Sequence, residues 1–316
     1  MKDKVQDSLR QEPLDALDLD CLGIGSQYLV FKRRKEGESV VFKIDRWDLR
    51  AGFIDAVNDT DPDSRLNNNR KELAERRKAE KELEEFFGAE HLLRRHSVPV
   101  VIPMTKGIVM NLVNEREQEI MSMVPDGVYW VTVLAEVQPL AKELLEPEKY
   151  ETFDINTWLM RGDRFYVDEP LPVVLEYCSA QIENYLSNQY KRRLEDPDVK
   201  RVISSLVDRM VQYTRATGRY IDIFGPTNVT IFKNDKGEYD YHLLDALVPW
   251  YKKTNEKRPL HDDNVGMRLR HAFVYFQTVN LLAEMCGNEE RLKPEDLAYF
   301  KDTGIPVEWD FDPSKK

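Results

Sequence analysis

The chain has 316 residues, 41% of them hydrophobic and 33% charged, with a formal net charge of −11; at about 150 residues per domain this suffices for one sizeable core or two smaller ones. The acidic balance argues against nonspecific affinity for DNA, RNA or anionic membrane, all of which attract a positive field. No apolar run approaches the ~18 residues a bilayer span needs, the first twenty residues hold no apolar export segment, and Cys21, Cys178 and Cys286 lack C-x-x-C spacing, so the expectation is a soluble, cytoplasmic monomer without a disulfide framework or zinc cluster.

Residues 22–44 read as strand, turn, strand. The runs 28–31 and 40–44 are short and rich in β-formers, Gly23 and Gly25 precede them, and Lys35-Glu36-Gly37-Glu38 supplies the turn, which predicts a hairpin. Residues 46–69 carry Asn58-Asp59-Thr60-Asp61-Pro62-Asp63-Ser64 and Asn67-Asn68-Asn69, turn-formers that predict a polar insertion or mobile loop. Residues 70–87 predict a helix with Leu73, Leu83 and Phe87 on one face, Glu80 in the middle of that face, and Gly88 as its stop. Apolar segments follow at 98–104 and 129–134, the second running through Glu136 and Val137 to a boundary at Pro139.

Farther on, residues 172–194 predict a helix, and residues 199–217 carry the strongest periodicity. There Val199, Val202, Ile203, Leu206, Val207, Met210 and Val211 repeat at helical spacing before Gly218. Tyr220-Ile221-Asp222 comes next, then Asn228, then a second hairpin with strands at 229–232 and 238–244 around Asn234-Asp235-Lys236-Gly237. Its second strand delivers Asp245. Residues 262–286 are again helical, with Leu269, Ala272, Phe273, Phe276 and Val279 on one side.

Taken singly, the polar candidates are ordinary. A lone G-x-G punctuates a loop, Lys43 on a strand faces solvent, and Asp222 and Asn228 shape turns. Asp59-x-Asp61-x-Asp63 starts like a calcium loop, but Ser64 stands where the glycine belongs and Arg70 where the closing glutamate belongs. No H-E-x-x-H or G-x-S-x-G occurs. Order and spacing together single out one set. Gly23-Ile24-Gly25-Ser26-Gln27-Tyr28-Leu29-Val30, Val40-Val41-Phe42-Lys43, Tyr220-Ile221-Asp222 with Asn228, and Leu244-Asp245-Ala246-Leu247 follow one another as the glycine-rich loop, lysine strand, catalytic loop and metal aspartate do in protein kinases. The chain therefore resembles the protein kinases and, more loosely, the aminoglycoside and choline phosphotransferases. Tyr28 replaces the third glycine, Asn228 follows Asp222 at six positions rather than five, and the Phe-Gly after the metal aspartate is missing.

The resemblance implies an α+β, bilobal protein-kinase-like fold. A small β-rich lobe would occupy residues 1–137, with the insertion at about 46–69, and a mainly helical lobe with the catalytic loop residues 138–316. Phosphoryl transfer needs a cation on the phosphates, oxygen ligands on Mg2+ and a carboxylate for the attacking hydroxyl. By resemblance Gly23, Gly25 and Val30 cover the nucleotide, Lys43 holds its α- and β-phosphates, Glu136 and Val137 are the hinge that meets adenine through backbone groups, Asn228 and Asp245 bind Mg2+, and Asp222 orients the hydroxyl. These residues are expected to converge on one ATP cleft. Glu80, on an apolar face, needs a partner: Lys43 is one, an intrahelical bridge to Arg76 the other.

The function implied is ATP-dependent phosphorylation of a hydroxyl. Because no A-P-E sequence closes an activation segment, a small molecule or an atypical protein is the expected acceptor. The alternatives are a pseudokinase that binds nucleotide without turnover, to which the three departures from the motifs point, and a scaffold in which Lys43 and Asp222 are unrelated surface residues.

Overall fold

A computed structural model describes residues 19–24, 28–33, 40–93, 96–110, 115–139, 152–154, 171–223, 228–244 and 262–297. The protein is α+β, and its chain divides into two units: Met1–Lys78 with Leu93–Leu145, and Ala79–Leu92 with Glu146–Lys316. The expected division at 137/138 falls inside a strand, and the second unit takes a short piece from the middle of the first. Among the described residues no helix is long and apolar enough to cross a membrane.

In the first unit, alternating β-formers build five antiparallel strands: β1 (Leu19–Ile24), β2 (Tyr28–Arg33), β3 (Val40–Asp45), β4 (His96–Thr105) and β5 (Val128–Pro139), in the order β1-β2-β3-β5-β4. One face is apolar at every second position. Leu29 and Phe31, Ile44, Val131, Val133 and Ala135, and Ile102 and Met104 are buried there in one core.

Residues 46–69, expected as a loop, are instead largely helical. Helix α1 (Arg46–Val57) buries Leu49 and Phe53, with Ala56 and Val57 half-buried beside them, and packs on β5. These four positions repeat at i, i+4, i+7 and i+8, a helical stripe that the neighbouring turn-formers obscured. Helix α2 (Asp63–Phe87) then starts seven residues before its expected position. Its first turn is held from outside: Arg65 donates from Nε to Asp55 Oδ2 at 2.6 Å and from Nη2 to the Thr132 carbonyl at 2.5 Å. Tertiary contacts here override the weak helix propensity of Asn67-Asn68-Asn69. Two short helices, α3 (Lys106–Met110) and α4 (Glu115–Ser122), complete the unit and contribute Ile108, Val109 and Met121 to its core.

The second unit is mainly helical: α5 (Leu171–Tyr190), α6 (Pro197–Thr217) and α7 (Asp262–Cys286), with a small sheet of β6 (Thr152–Asp154), β7 (Val229–Lys233) and β8 (Tyr239–Leu243) in that order. Helix α6 shows why its boundaries were legible. Asp196 caps it by accepting the Asp198 N–H at 2.9 Å, Pro197 opens the first turn, and Gly218 closes it in the left-handed region at φ 70°. Its apolar stripe is buried throughout. The β7–β8 turn is tied by Asn234 Oδ1, which accepts from the N–H groups of Lys236 and Glu238, both at 3.0 Å.

Residues 79–92, the end of α2 and its 3-10 turn, belong to this second unit by their bonds. Leu83 and Phe87 enter its core, Arg219 bonds Glu82 at 2.5 Å, and Arg209 and the Tyr241 hydroxyl both donate to the Phe87 carbonyl, ending the helix. His91 stacks on the Tyr241 ring at 3.9 Å and donates from Nδ1 to the Tyr241 carbonyl at 2.9 Å. Burial pushes the Tyr241 phenol up to about 12, against the opposing pull of Arg209.

Candidate functional site

Four residues picked out for the nucleotide fall in one row across the first sheet. Gly23 pairs with Val30, Val30 with Lys43, and Lys43 with Glu136, and the row ends at Ser97 on the edge strand. Side chains alternate along a strand, so Val30, Lys43 and Glu136 share the face opposite Leu29, Ile44 and Ala135, away from the apolar core. Directly opposed residues in neighbouring antiparallel strands have Cβ atoms about 5 Å apart. Glu136 is only 7% exposed, and a buried carboxylate needs a counter-charge. The register sets Lys43 directly opposite it on β3, a cross-strand neighbour the sequence alone did not name.

The hinge expected at Glu136 and Val137 is not there. Strand β5 continues to Pro139, and both residues have ladder partners on both sides: Lys43 and Ser97 for Glu136, Phe42 and His96 for Val137. Interior-strand N–H and C=O groups are committed to the sheet, so neither residue has backbone free to read a base. Val137 moreover points to the core face with Phe42.

One residue on the Lys43 face was missed. Gln138 stands two positions beyond Glu136, hence on the same face, and pairs with Val41. It is 5% exposed, and its Oε1 has no hydrogen-bond partner. Period-two counting from Glu136 would have found its face but not its burial.

In the second unit, Asp222 lies on the irregular segment after Gly218, half-buried between Ile221 and Ile223, which are both fully buried. The two buried isoleucines anchor the segment on either side of Asp222. Asn228 is buried at the start of β7, and its carbonyl accepts the Leu244 N–H at 2.8 Å, continuing the Val229–Leu243 pairing by one step. The residue before the candidate metal aspartate is thus bonded to the candidate metal asparagine. Gly25 and Asp245 lie outside the described residues. Glu80 is half-buried on α2, one helical turn before Leu83.

Asn228 offers a hard amide oxygen in a buried setting, which suits Mg2+ rather than zinc or copper. Among the described residues no group of three or more His, Cys, Asp or Glu side chains could hold a metal ion. A separate open groove of about 610 Å³ in the second unit is lined by Glu84, Glu85, Glu90, Asp208, Arg201 and Arg209. It contains none of the candidates, and its Glu84, Glu85 and Glu90 are exposed, so their negative charge is solvated. No protein-family model, curated protein or solved structure matches this chain.

Proposed function

We propose that the protein is a bilobal, protein-kinase-like phosphotransferase that moves the γ-phosphoryl group of ATP, with Mg2+, to a hydroxyl of a small molecule or an atypical protein acceptor. The observation that carries this reading is the row Gly23, Val30, Lys43, Glu136. Gly23 and Val30, from the loop motif, and Lys43, from the lysine strand, stand opposite one another on consecutive strands, and Glu136, from a strand distant in the chain, joins the row. Further support comes from the bond between Asn228 and Leu244, which joins the ends of the β7–β8 hairpin at one candidate metal ligand and at the residue that precedes the other in the sequence.

The roles follow from charge and geometry. Lys43 places a cation against the phosphates, and Glu136 opposite keeps its ammonium charged and oriented. Asp222 accepts the proton of the acceptor hydroxyl as its oxygen bonds to the γ-phosphorus; the bond from that phosphorus to the β–γ bridging oxygen breaks, and ADP leaves with the electron pair. Asn228 and Asp245 would hold Mg2+, which when bound neutralises charge on the transferring phosphoryl group.

Thermal unfolding with ATP plus Mg2+, against each alone, tests the reading. A specific complex raises Tm by mass action, by about 2.7 kcal/mol of added stability at a hundred times Kd. Lys43→Ala and Asp245→Ala should each weaken Mg-ATP in a fluorescent-nucleotide titration, with effects that do not add fully. Wild-type affinity in both variants would sink the assignment.

A further inference from the structure

We propose that His91 is a pH-operated latch: a proton on its Nε2 draws in the Glu90 carboxylate and fastens the turn of residues 88–92 along the free edge of β8. The inference concerns the second unit alone and does not depend on the phosphotransfer reading.

The turn lies where a sheet edge would otherwise be bare. In the order β6-β7-β8, strand β8 has a neighbouring strand on one side only, and an edge strand leaves backbone groups without ladder partners. Residues 91 and 92 cover the other side. The His91 ring bonds the Tyr241 carbonyl at 2.9 Å, and Leu92 forms an isolated parallel bridge with Leu243. His91 is 8% exposed, and its ring lies flat on that of Tyr241, with 10° between the planes.

Both ring nitrogens face oxygen atoms that only accept. Nδ1 has the Tyr241 carbonyl at 2.9 Å and Asp240 Oδ1 at 3.4 Å, and Nε2 has Glu90 Oε1 at 3.6 Å. A neutral imidazole carries one N–H, so with Nδ1 donating, Nε2 turns a lone pair toward a carboxylate. The imidazolium has two donors and satisfies both sides. Glu90 is already seated for this role. Its carboxylate is folded back over Gly88, where a methyl group would lie 2.8 Å from Oε2. At 3.6 Å the contact is an ion-pair distance, and a proton between the two atoms shortens it to a charge-assisted hydrogen bond.

The charges around the ring suit a cation. Among the described residues, Glu90 faces it from its own turn and Asp240 from β8, two negative groups. The Arg209 guanidinium of α6 is bound to the Tyr241 hydroxyl at 3.2 Å and to the Phe87 carbonyl. Tyr241, its phenol pushed up to about 12 by burial, carries no charge in the range where imidazoles ordinarily titrate. The Glu90 side chain is 69% exposed, so water competes for it and the latch is a modest one.

Hydrogen exchange of the amides in residues 88–92 and 239–243 tests the latch, followed by mass spectrometry on the full chain at pH 5.5 and pH 8 and corrected for the intrinsic pH dependence of exchange. The proton makes a contact that the opened turn lacks, so protection is present at the acid end and lost as pH rises. In wild type it should fall about threefold between the two conditions. Glu90→Gln changes an exposed side chain and keeps its size, and it should lose more than half of that difference. His91→Gln should lose it as well, and side-chain 15N shifts of wild type should show Nδ1 as the nitrogen that keeps its proton at pH 8. Protection that is the same at both pH values in wild type overturns the proposal. So does a Glu90→Gln protein that keeps half of the difference or more, or a proton that stays on Nε2 instead of Nδ1.

Discussion

In the proposed reaction, Asp222 is the residue on which catalysis, as distinct from binding, turns. Ile221 and Ile223 anchor it on both sides in the core, so replacing its carboxylate by an amide should leave the local backbone where it is. Asp222→Asn is expected to bind ATP nearly as wild type does and to lose roughly 10²–10⁴-fold in turnover, the usual contribution of a positioned general base. ATP consumption across a panel of hydroxyl metabolites and protein substrates, with autophosphorylation followed by mass spectrometry, measures this. Equal turnover in wild type and variant would take Asp222 out of the mechanism. ATP binding with no turnover on any acceptor would identify a nucleotide-binding module instead. At this scale the order of motif fragments is what offers Lys43, Asp222 and Asn228 as candidates. The buried, unpartnered Oε1 of Gln138 could not be read there, because burial and partners come from other strands.

The elements were legible where local signals agreed, as in α6, where cap, stripe and glycine stop all point the same way. They failed over 46–69, where turn-forming composition and a helical stripe disagreed and burial against β5 decided the outcome. Gly52 records that decision. A methyl group there would lie 2.8 Å from Val131 Cγ1 and 3.1 Å from the Thr132 carbonyl, neither of which moves easily, since one is on a stiff β-branched side chain and the other in a strand. Alanine is a better helix former than glycine by about 1 kcal/mol, and overpacking costs about 1–3 kcal/mol. Gly52→Ala should therefore be net destabilising, by up to about 2 kcal/mol, read as a lower urea midpoint at unchanged slope. A midpoint at or above that of wild type would mean that α1 does not sit this close to β5.

At the scale of the whole molecule, the second unit buries groups that ionise only at high pH. Burial pushes the Cys286 thiol up to about 11 and the Tyr241 phenol up to about 12, and moves Tyr275, fully buried, in the same direction. The folded state thus favours the protonated forms. Their contribution is complete below the unfolded values, near 9 for the thiol and 10 for the phenols, and is lost as pH rises through the folded ones. Tm should fall progressively from about pH 9 upward, with the late tyrosinate absorbance appearing together with unfolding. Tyrosines that all titrate near their ordinary value in the folded protein would show that these rings are reached by solvent.

What the sequence determined by itself is local. Period-two and period-3.6 apolar patterns set strands and helices, Gly218 and the Asn234–Gly237 turn set boundaries, and the order of motif fragments set the list of polar candidates. Only the tertiary structure decided which of those residues face one another. Register is chosen by burying one complete sheet face, a sum over five strands, and that sum put Glu136 opposite Lys43, closed the expected hinge and left Gln138 Oε1 buried without a hydrogen-bond partner. Short-range propensity cannot carry this information, because a one-residue slip in a distant strand changes every cross-strand neighbour while leaving each strand's own pattern intact.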